Sequence, residues 1–398
     1  MEVKSGYKQT EVGVIPEDWE MKAIGQIAPL QRGIDLPTSQ VKEGPYPVVY
    51  SNGVMNFHNT AIARGPGVVT GRSGTLGKVH YVETDFWPHN TSLWVTRFND
   101  NHPRFIFYLY SSIGFIRFAS GSGVPTLNRN DAHAFRTALP PTKAEQEAIA
   151  EALSDADAFI ESLEQLINKK RQVKQGAMQE LLAGKKRLPG FSGEWQDLFV
   201  EDVVDRFFCG PSPTCEERNI IGDSEWAVLK TTAITWDNGW DWTKHKILPK
   251  VFWNQPHLEV KAGDVIVTKA GPRHRVGVAV WVNYALKRII VSGKMIGLRP
   301  YLESIVPLML AAAIASKEAQ TFLDQRTTGM AESQVNFENT VLLRTPIRIP
   351  HIDEQNAIAD ILFDMDAEIA TLEAKLTKIR QIKQGMMQEL ITGRIRLI

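Results

Sequence analysis

The sequence predicts an α+β protein. Two mixed α/β domains are separated and joined by two long antiparallel helices, which form an intramolecular coiled coil with pseudo-two-fold symmetry. Two observations predict this. A stretch of 44 residues occurs twice, from Glu145 to Leu188 and from Glu354 to Leu397. The copies align without a gap, and about 25 of the 44 paired positions are identical. An irregular segment precedes each copy, and the two segments share little sequence. The expected boundaries are residues 1–141 for the first variable domain and 142–186 for the central helix. Residues 187–350 form the second variable domain and 351–398 the C-terminal helix.

Both copies read as long helices. Ile149, Leu153, Ala156, Ile160, Leu163 and Ile167 step by four and three, as do Ile358, Leu362, Met365, Ile369, Leu372, Leu376 and Ile379. That is an a/d seam sustained over about three heptads. Thr142 and Glu145 fit a capping box at the first helix start, where hydroxyl and carboxylate satisfy exposed N–H groups reciprocally. Gly184 and Gly393 stand where a helix-ending glycine is expected. A helix of this length spans roughly 60 Å and cannot bury its stripe alone. The other copy is its expected partner.

Charge sets the orientation. Each copy is acidic early, as at Glu145 to Glu164 and Asp353 to Glu373, and basic late, as at Lys169 to Lys174 and Lys375 to Lys383. An antiparallel pair sets acid against base at both ends; a parallel pair sets like against like. The same charges also complement each helix dipole.

The 398 residues carry 45 basic and 45 acidic side chains, so any case for nucleic acid rests on local clusters rather than on global charge. Cys209 and Cys215 fit no zinc spacing and give no disulfide framework. The longest apolar run, around Val306 to Ala315, is about half a membrane span, and no basic-then-apolar leader is read. The expectation is a cytoplasmic protein without a membrane partner.

Each half opens on a tryptophan, Trp19 or Trp195, just past a proline or glycine. Strand-like runs follow at 47–50, 67–70, 78–82 and 92–97, then a helical patch at 104–118. The second half repeats the order at 227–230, 264–269, 277–282 and 295–299, with a helical patch at 306–323. Glycine-containing stretches, 121–130 and 327–336, close each half before the last strand. The same scaffold with different surface residues is what two modules with different targets require.

The sharpest local motif runs from Val69 to Val79. It resembles a phosphate-binding loop and fails as one. Arg72 stands where that pattern needs glycine, Val79 replaces the hydroxyl residue after Lys78, and a strand follows instead of a helix. The second half has a counterpart from Val267 to Val278. Arg72, Ser73, Thr75 and Lys78 in one turn, and Lys269, Arg273, His274 and Arg275 in the other, are the candidate nucleic-acid contacts. Arginine and lysine supply donors for phosphates and guanine edges, and glycine permits close approach. The alternative for either turn is a solvated, charged hairpin tip. Between Lys261 and Arg299 lie eight basic residues and one acid, Asp264, which favours nucleic acid. Asn128, Arg129, Gln334 and Asn336 are expected near the same face, with a hydrogen-bonded turn as their alternative role. Trp236, Trp240, Trp242 and Trp253 read as core.

Catalytic signatures are absent. No Asn/Asp-Pro-Pro-aromatic tetrad, dinucleotide fingerprint, His-Glu-x-x-His or Gly-x-Ser-x-Gly occurs, and nine histidines are scattered without ligand spacing. Asp366, Glu373 and Lys375 mimic a nuclease metal site, but all three lie on one long helix.

The chain resembles the DNA-specificity subunit of type I restriction–modification systems. The resemblance spans essentially the whole length. It rests on the tandem order and on the helix entries Leu139-Pro140-Pro141…Glu145-Gln146 and Ile349-Pro350…Glu354-Gln355. It also rests on the stretches Lys174-Gln175-Gly176…Met178-Gln179-Glu180-Leu181 and Lys383-Gln384-Gly385…Met387-Gln388-Glu389-Leu390. The resemblance implies two target recognition domains reading a split, asymmetric site in double-stranded DNA, and helices that set the spacer and dock two methyltransferase subunits. It implies one specificity chain per complex. With motor-nuclease subunits the assembly acts as a type I site-specific deoxyribonuclease and adenine methyltransferase. ATP, Mg and S-adenosylmethionine then belong to the partners, and this chain itself is no enzyme. Glu145, Gln146, Gln175, Met178 and Glu180, with Glu354, Gln355, Gln384, Met387 and Glu389, are the candidate partner-binding residues, because polar positions repeat along with the seam. Two alternatives belong to other classes: a coiled-coil adaptor that binds no DNA, and a stand-alone DNA-modifying enzyme.

Overall fold

The computed structural model describes residues 4–120, 125–222, 224–236, 239–285 and 287–397. Part of the expected glycine-containing stretch, 121–124, lies outside them. The chain forms two compact units, Met1–Leu166 with Leu372–Ile398, and Ile167–Thr371.

In the first unit a four-stranded antiparallel sheet has the order Leu30–Arg32, Ser92–Val95, Gly67–Gly71, Val79–Val82. Beside it runs a three-stranded sheet, Gly53–His58, Tyr46–Tyr50, Trp87–Pro88, whose last pairing is parallel. The strand Gly67–Gly71 is buried throughout because both its faces are covered. Val68 points into the main core, with Trp19, Phe105 and Tyr110, while Val69 points into a smaller one with Val49 and Phe86. Alternation at period two under two covered faces gives the unbroken apolar run seen in sequence. The helix Pro103–Ile113 starts on a proline, whose fixed φ suits the first helical position. It buries Phe105, Ile106, Leu109, Tyr110 and Ile113 on one face and ends at Gly114, φ 69°.

The second unit repeats this topology. Its four-stranded order is Val204–Phe208, Met295–Pro300, Val265–Thr268, Ala279–Trp281. Its three-stranded order is His245–Ile247, Ala227–Leu229, Ile289–Ile290, again with one parallel pairing. Val265 and Val267 face one core and Ile266 the other. The expected helical patch 306–323 is two helices, Pro307–Ile314 and Lys317–Gln325, separated where Ser316 caps the second through Ala319 N–H.

The long helices are Lys143–Leu181 and Ile352–Ile391, and each contributes a segment to both units. In the first unit Asp157 pairs with Lys383 and Glu164 with Arg380. In the second Lys170 pairs with Glu368 (2.7 Å) and Lys174 with Asp366. In both, partner numbers fall as the first helix advances. Gly184 (φ 65°) and Gly393 (φ 72°) end the helices in the left-handed conformation, and each lies under an aromatic ring. A Cβ on Gly184 would lie 2.9 Å from Trp195, and one on Gly393 would lie 2.5 Å from Pro16 and 3.1 Å from Trp19. The tryptophan opening each half is therefore the seat of a helix end.

Four expected surface residues are internal. Glu145 and Glu354 are each 1% exposed. Arg396 forks onto Glu145 at 2.8 Å and also reaches Asp18, while Arg187 forks onto Glu354 at 2.6 Å. These carboxylates push both arginines above their usual range. Glu145 N–H does donate to Thr142 Oγ1 (3.2 Å), but the Glu145 carboxylate goes to Arg396, so only half of the expected capping box forms. Gln146 donates to Asn101 Oδ1 (2.9 Å) and the Pro140 carbonyl (3.2 Å), and it accepts from His102 N–H (2.9 Å). Gln355 donates to the Pro350 carbonyl (2.8 Å) and accepts from Val306 N–H (2.9 Å). His102 and Val306 are the N-caps of the two proline-started helices. Each glutamine thus satisfies a helix-start N–H, and these four repeated positions are held by internal chemistry rather than left for a partner.

Candidate nucleic-acid interface

The two glycine-bearing turns are framed alike. In the first unit Arg72 N–H and Ser73 N–H both donate to the Thr91 carbonyl (2.8 and 3.1 Å), and the Arg72 carbonyl accepts from Leu127 N–H (2.8 Å). In the second, Lys269 and Ala270 N–H donate to the Lys294 carbonyl (2.9 and 3.2 Å), and the Lys269 carbonyl accepts from Phe337 N–H (3.2 Å). Arg72 and Lys269 hold equivalent places. A buried threonine precedes each turn and ties it off: Thr70 Oγ1 donates to the Lys78 carbonyl (3.0 Å), and Thr268 Oγ1 to the Arg275 carbonyl.

The first turn folds back on itself. A Cβ on Gly71 would lie 1.9 Å from the Thr75 carbonyl, and Gly74 and Gly77 adopt φ of 82° and 83°. Thr75 and Lys78 are exposed and Ser73 is half-buried. Arg72 is half-buried, and among the described residues nothing hydrogen-bonds its guanidinium. Burial, and then the charge of Arg32, push Arg72 below its usual range.

The second turn differs. Arg273 is held by Asp324 (2.6 Å) and Glu332 (2.9 Å), which push it up. Arg275 donates to the Thr231 (2.7 Å) and Ile234 (2.5 Å) carbonyls, so it pins the neighbouring segment. Both guanidiniums of these candidate DNA contacts thus have internal partners, which the sequence did not disclose. Lys269 Nζ donates to Asn339 Oδ1 (3.0 Å), and His274 is exposed.

The polar ends lie beside the turns. Thr126 bridges to Ser73, and Asn336 pairs with Ala270. Asn128 Oδ1 accepts from Asn130 N–H (3.0 Å), capping the short helix Arg129–Ala134, while Arg129, Gln334 and Asn336 are exposed.

Sequence reasoning missed a third component. The connection between the first two strands of each three-stranded sheet packs on the turn. In the first unit this is the tight Ser51-Asn52 hairpin: the Ser51 carbonyl lies 3.3 Å from His80 Nε2, and a Cβ on Gly71 would meet the Ser51 side chain at 3.2 Å. Asn52-Gly53 was its readable signal. Val54, Met55 and Phe57 beside it are exposed. In the second unit the connection runs from Lys230 to Lys244. Trp242 is core, and Trp240 and Trp253 pack half-buried against the cores. Trp236 is 50% exposed, its indole N–H held by the His274 carbonyl at 2.9 Å.

On the long helices, Gln175, Glu180 and Gln384 are exposed, while Met178, Met387 and Glu389 are half-buried, both methionines against their unit's core. Gln172, Gln179, Gln381 and Gln388 are exposed too, with Val173 and Ile382 as equivalent exposed apolar residues. Among the described residues no group of three His, Cys, Asp or Glu is placed to hold a metal ion, and no helix is long and apolar enough to cross a membrane.

The family model described as Type I restriction modification DNA specificity domain matches residues 16–170 and 193–382. The type I restriction enzyme EcoEI specificity subunit of Escherichia coli is 27% identical over 187 residues, covering 47% of this chain and 31% of that relative. The putative type I restriction enzyme MjaX specificity subunit of Methanocaldococcus jannaschii is 22% identical, over 99% of this chain and 97% of its own. Among solved structures, the type I restriction–modification S subunit from M. genitalium is similar with a TM-score of 0.58 at 14% identity, covering 98% of both chains.

Proposed function

The chain belongs to the type I restriction modification DNA specificity domain family, and on that premise we propose that it is a non-catalytic reader of a bipartite, asymmetric site in double-stranded DNA. Each unit reads one half-site with its turn, the adjoining polar end and the hairpin beside it. Arg72, Ser73, Thr75 and Lys78 serve the first half-site; Lys269, His274 and the exposed Trp236 serve the second. Asn128, Arg129, Gln334 and Asn336 border these surfaces. The single observation that carries the reading is the shared backbone frame around Arg72 and Lys269, filled with unlike side chains in two units of one topology.

The long helices form an intramolecular antiparallel coiled coil that fixes the spacer. The ion pairs running in opposite directions within each unit support this. The repeated positions, exposed Gln175 and Glu180 with exposed Gln384 and half-buried Glu389, and the flanking Val173 and Ile382, recruit two identical methyltransferase subunits about a pseudo-two-fold. Met178 and Met387 add adaptable apolar contact. One chain serves each complex, motor-nuclease subunits join it, and S-adenosylmethionine, ATP and Mg sit on those partners. Readers on one side of the duplex place half-sites about one helical turn, roughly 34 Å, apart.

Mapping methylated adenines by single-molecule long reads, in a host carrying this chain and its methyltransferase partner, tests the reading. The expected result is one split motif with a fixed gap. Four residues inserted into one long helix should lengthen the gap by roughly 6 Å of helix and leave both half-sites unchanged. Native mass measurement should give two methyltransferases per chain. An uninterrupted motif, altered half-sites after insertion, or a single methyltransferase would overturn it.

A further inference from the structure

A half-buried guanidinium without a counter-charge costs free energy in the unliganded protein, because neither water nor an acid fully replaces its hydration. Arg72 is in that position, and a second cation adds to the cost. Arg32 ends the first strand of the four-stranded sheet, opposite Leu93, which itself lies opposite Thr70. Directly opposed residues of an antiparallel sheet point to one side. Arg72, two residues beyond Thr70, continues on that side. The backbone agrees: Gly33 N–H donates to the Ser92 carbonyl (3.0 Å) and Arg72 N–H to the Thr91 carbonyl (2.8 Å), so the two arginine segments flank one stretch of the middle strand. The nearby acid, Asp35, is engaged by other partners. It accepts from Asn90 and lies 4.0 Å from His89 Nε2.

We propose that Arg32 and Arg72 form a two-arginine clamp for a backbone phosphate of the DNA bound by the first unit. Arg32 belongs to none of the turns or polar ends that define the reading face above, and the clamp rests on that reading. Two guanidiniums without an acid between them fit a phosphodiester, which offers two anionic oxygens and needs no base identity. The clamp therefore anchors the first unit on the duplex and leaves base readout to Ser73, Lys78 and the Asn52 hairpin.

A clamp held open by like charges gives effects of opposite sign on folding and binding. The test uses the full chain assembled with its methyltransferase subunits. The probes are a 30-base-pair duplex carrying the mapped motif and a scrambled duplex of equal length. Affinity is measured across a series of NaCl concentrations, with thermal melting of the free chain alongside. For Arg32→Ala, affinity for both duplexes should fall by a similar factor, about five- to tenfold at low salt, and the slope of log K against log salt should flatten by about one. The melting temperature should hold or rise, because a like-charge repulsion is gone. Arg32→Lys should keep the slope. The clamp is refuted if Arg32→Ala leaves affinity and slope unchanged while Arg72→Ala or Lys78→Ala weakens binding; DNA reading then survives without it. It is also refuted if Arg32→Ala lowers melting temperature and affinity together, which marks a structural arginine. An assembly that binds neither duplex removes the DNA reading and the clamp with it.

Discussion

The two basic turns share a backbone frame and differ in what neutralises them. In the first unit Arg72 stands beside Arg32 without an acid, whereas in the second Arg273 is shared between Asp324 and Glu332 and Arg275 is spent on two carbonyls. Among the described residues the first turn's arginine has no acidic partner. The second unit has an internally braced turn, with its exposure shifted to Trp236 and His274, while half-buried Lys269 is held by Asn339. Similar local composition therefore supports two modes of contact, one electrostatic and one built on an aromatic face.

What the units share is their closure. Arg396→Ala strands the buried Glu145 and should cost the first unit about 3 kcal/mol, the low end for breaking a buried pair, since the guanidinium is itself 24% exposed. Arg187→Ala should act in the same direction on the second unit. Hydrogen exchange resolved for strands Gly67–Gly71 and Val265–Thr268 reads each unit separately. A loss spread equally over both units from either change would mean that closure is not local.

The turns themselves come next. Arg72→Ala should weaken DNA binding by about 2 kcal/mol, roughly thirtyfold, whereas Arg273→Ala should leave affinity nearly unchanged, since its ion pairs are exposed. Equal losses in a titration of the assembled complex would erase the contrast. Trp236→Ala should cost about 1 kcal/mol on the motif duplex and relax only the second half-site, with Trp236→Phe recovering most of it. Relaxation at the first half-site would break the assignment of units to half-sites.

The smallest effect is acid sensitivity. Burial holds His80, His89, His102 and His133 below their usual range, and all four lie in the first unit. Val306 takes the place of His102 in the second. The folded first unit then binds fewer protons than its unfolded chain, so its stability falls as pH drops through about 6.5. Urea unfolding between pH 7.5 and 5.5, followed by protection in each unit, should show the first weakening sooner. Parallel weakening of both would contradict this.

Much of the fold was legible because it repeats. The 44-residue duplication exposed the helices, and the buried strands around Val68 and Ile266 announced themselves as apolar runs. The sheet-edge strands Leu30–Arg32 and His245–Ile247 are too short and polar to carry a period. Identity between repeats revealed constraint and not its cause. Glu145, Gln146, Glu354 and Gln355 each close an internal hydrogen-bond set, and only partners far along the chain disclose that. The same limit hid the fates of Arg273 and Arg275, whose partners Asp324, Glu332 and Thr231 lie outside any local window. Arg32 gave no signal at all, because its meaning depends on a neighbouring strand.

The division of the long helices has a consequence for synthesis. The second unit is one contiguous stretch, Ile167–Thr371, whereas the first needs Leu372–Ile398. Leu390 and Ile391 fill its core, Gly393 seats Trp19, and Arg396 neutralises Glu145. A ribosome delivers the first unit's sheet early and its final pieces last. The part begun first is thus finished last, and until then Glu145 has no partner and the apolar faces of Trp19 and Ile149 await cover, the interval in which a chaperone or a nascent partner has most to gain.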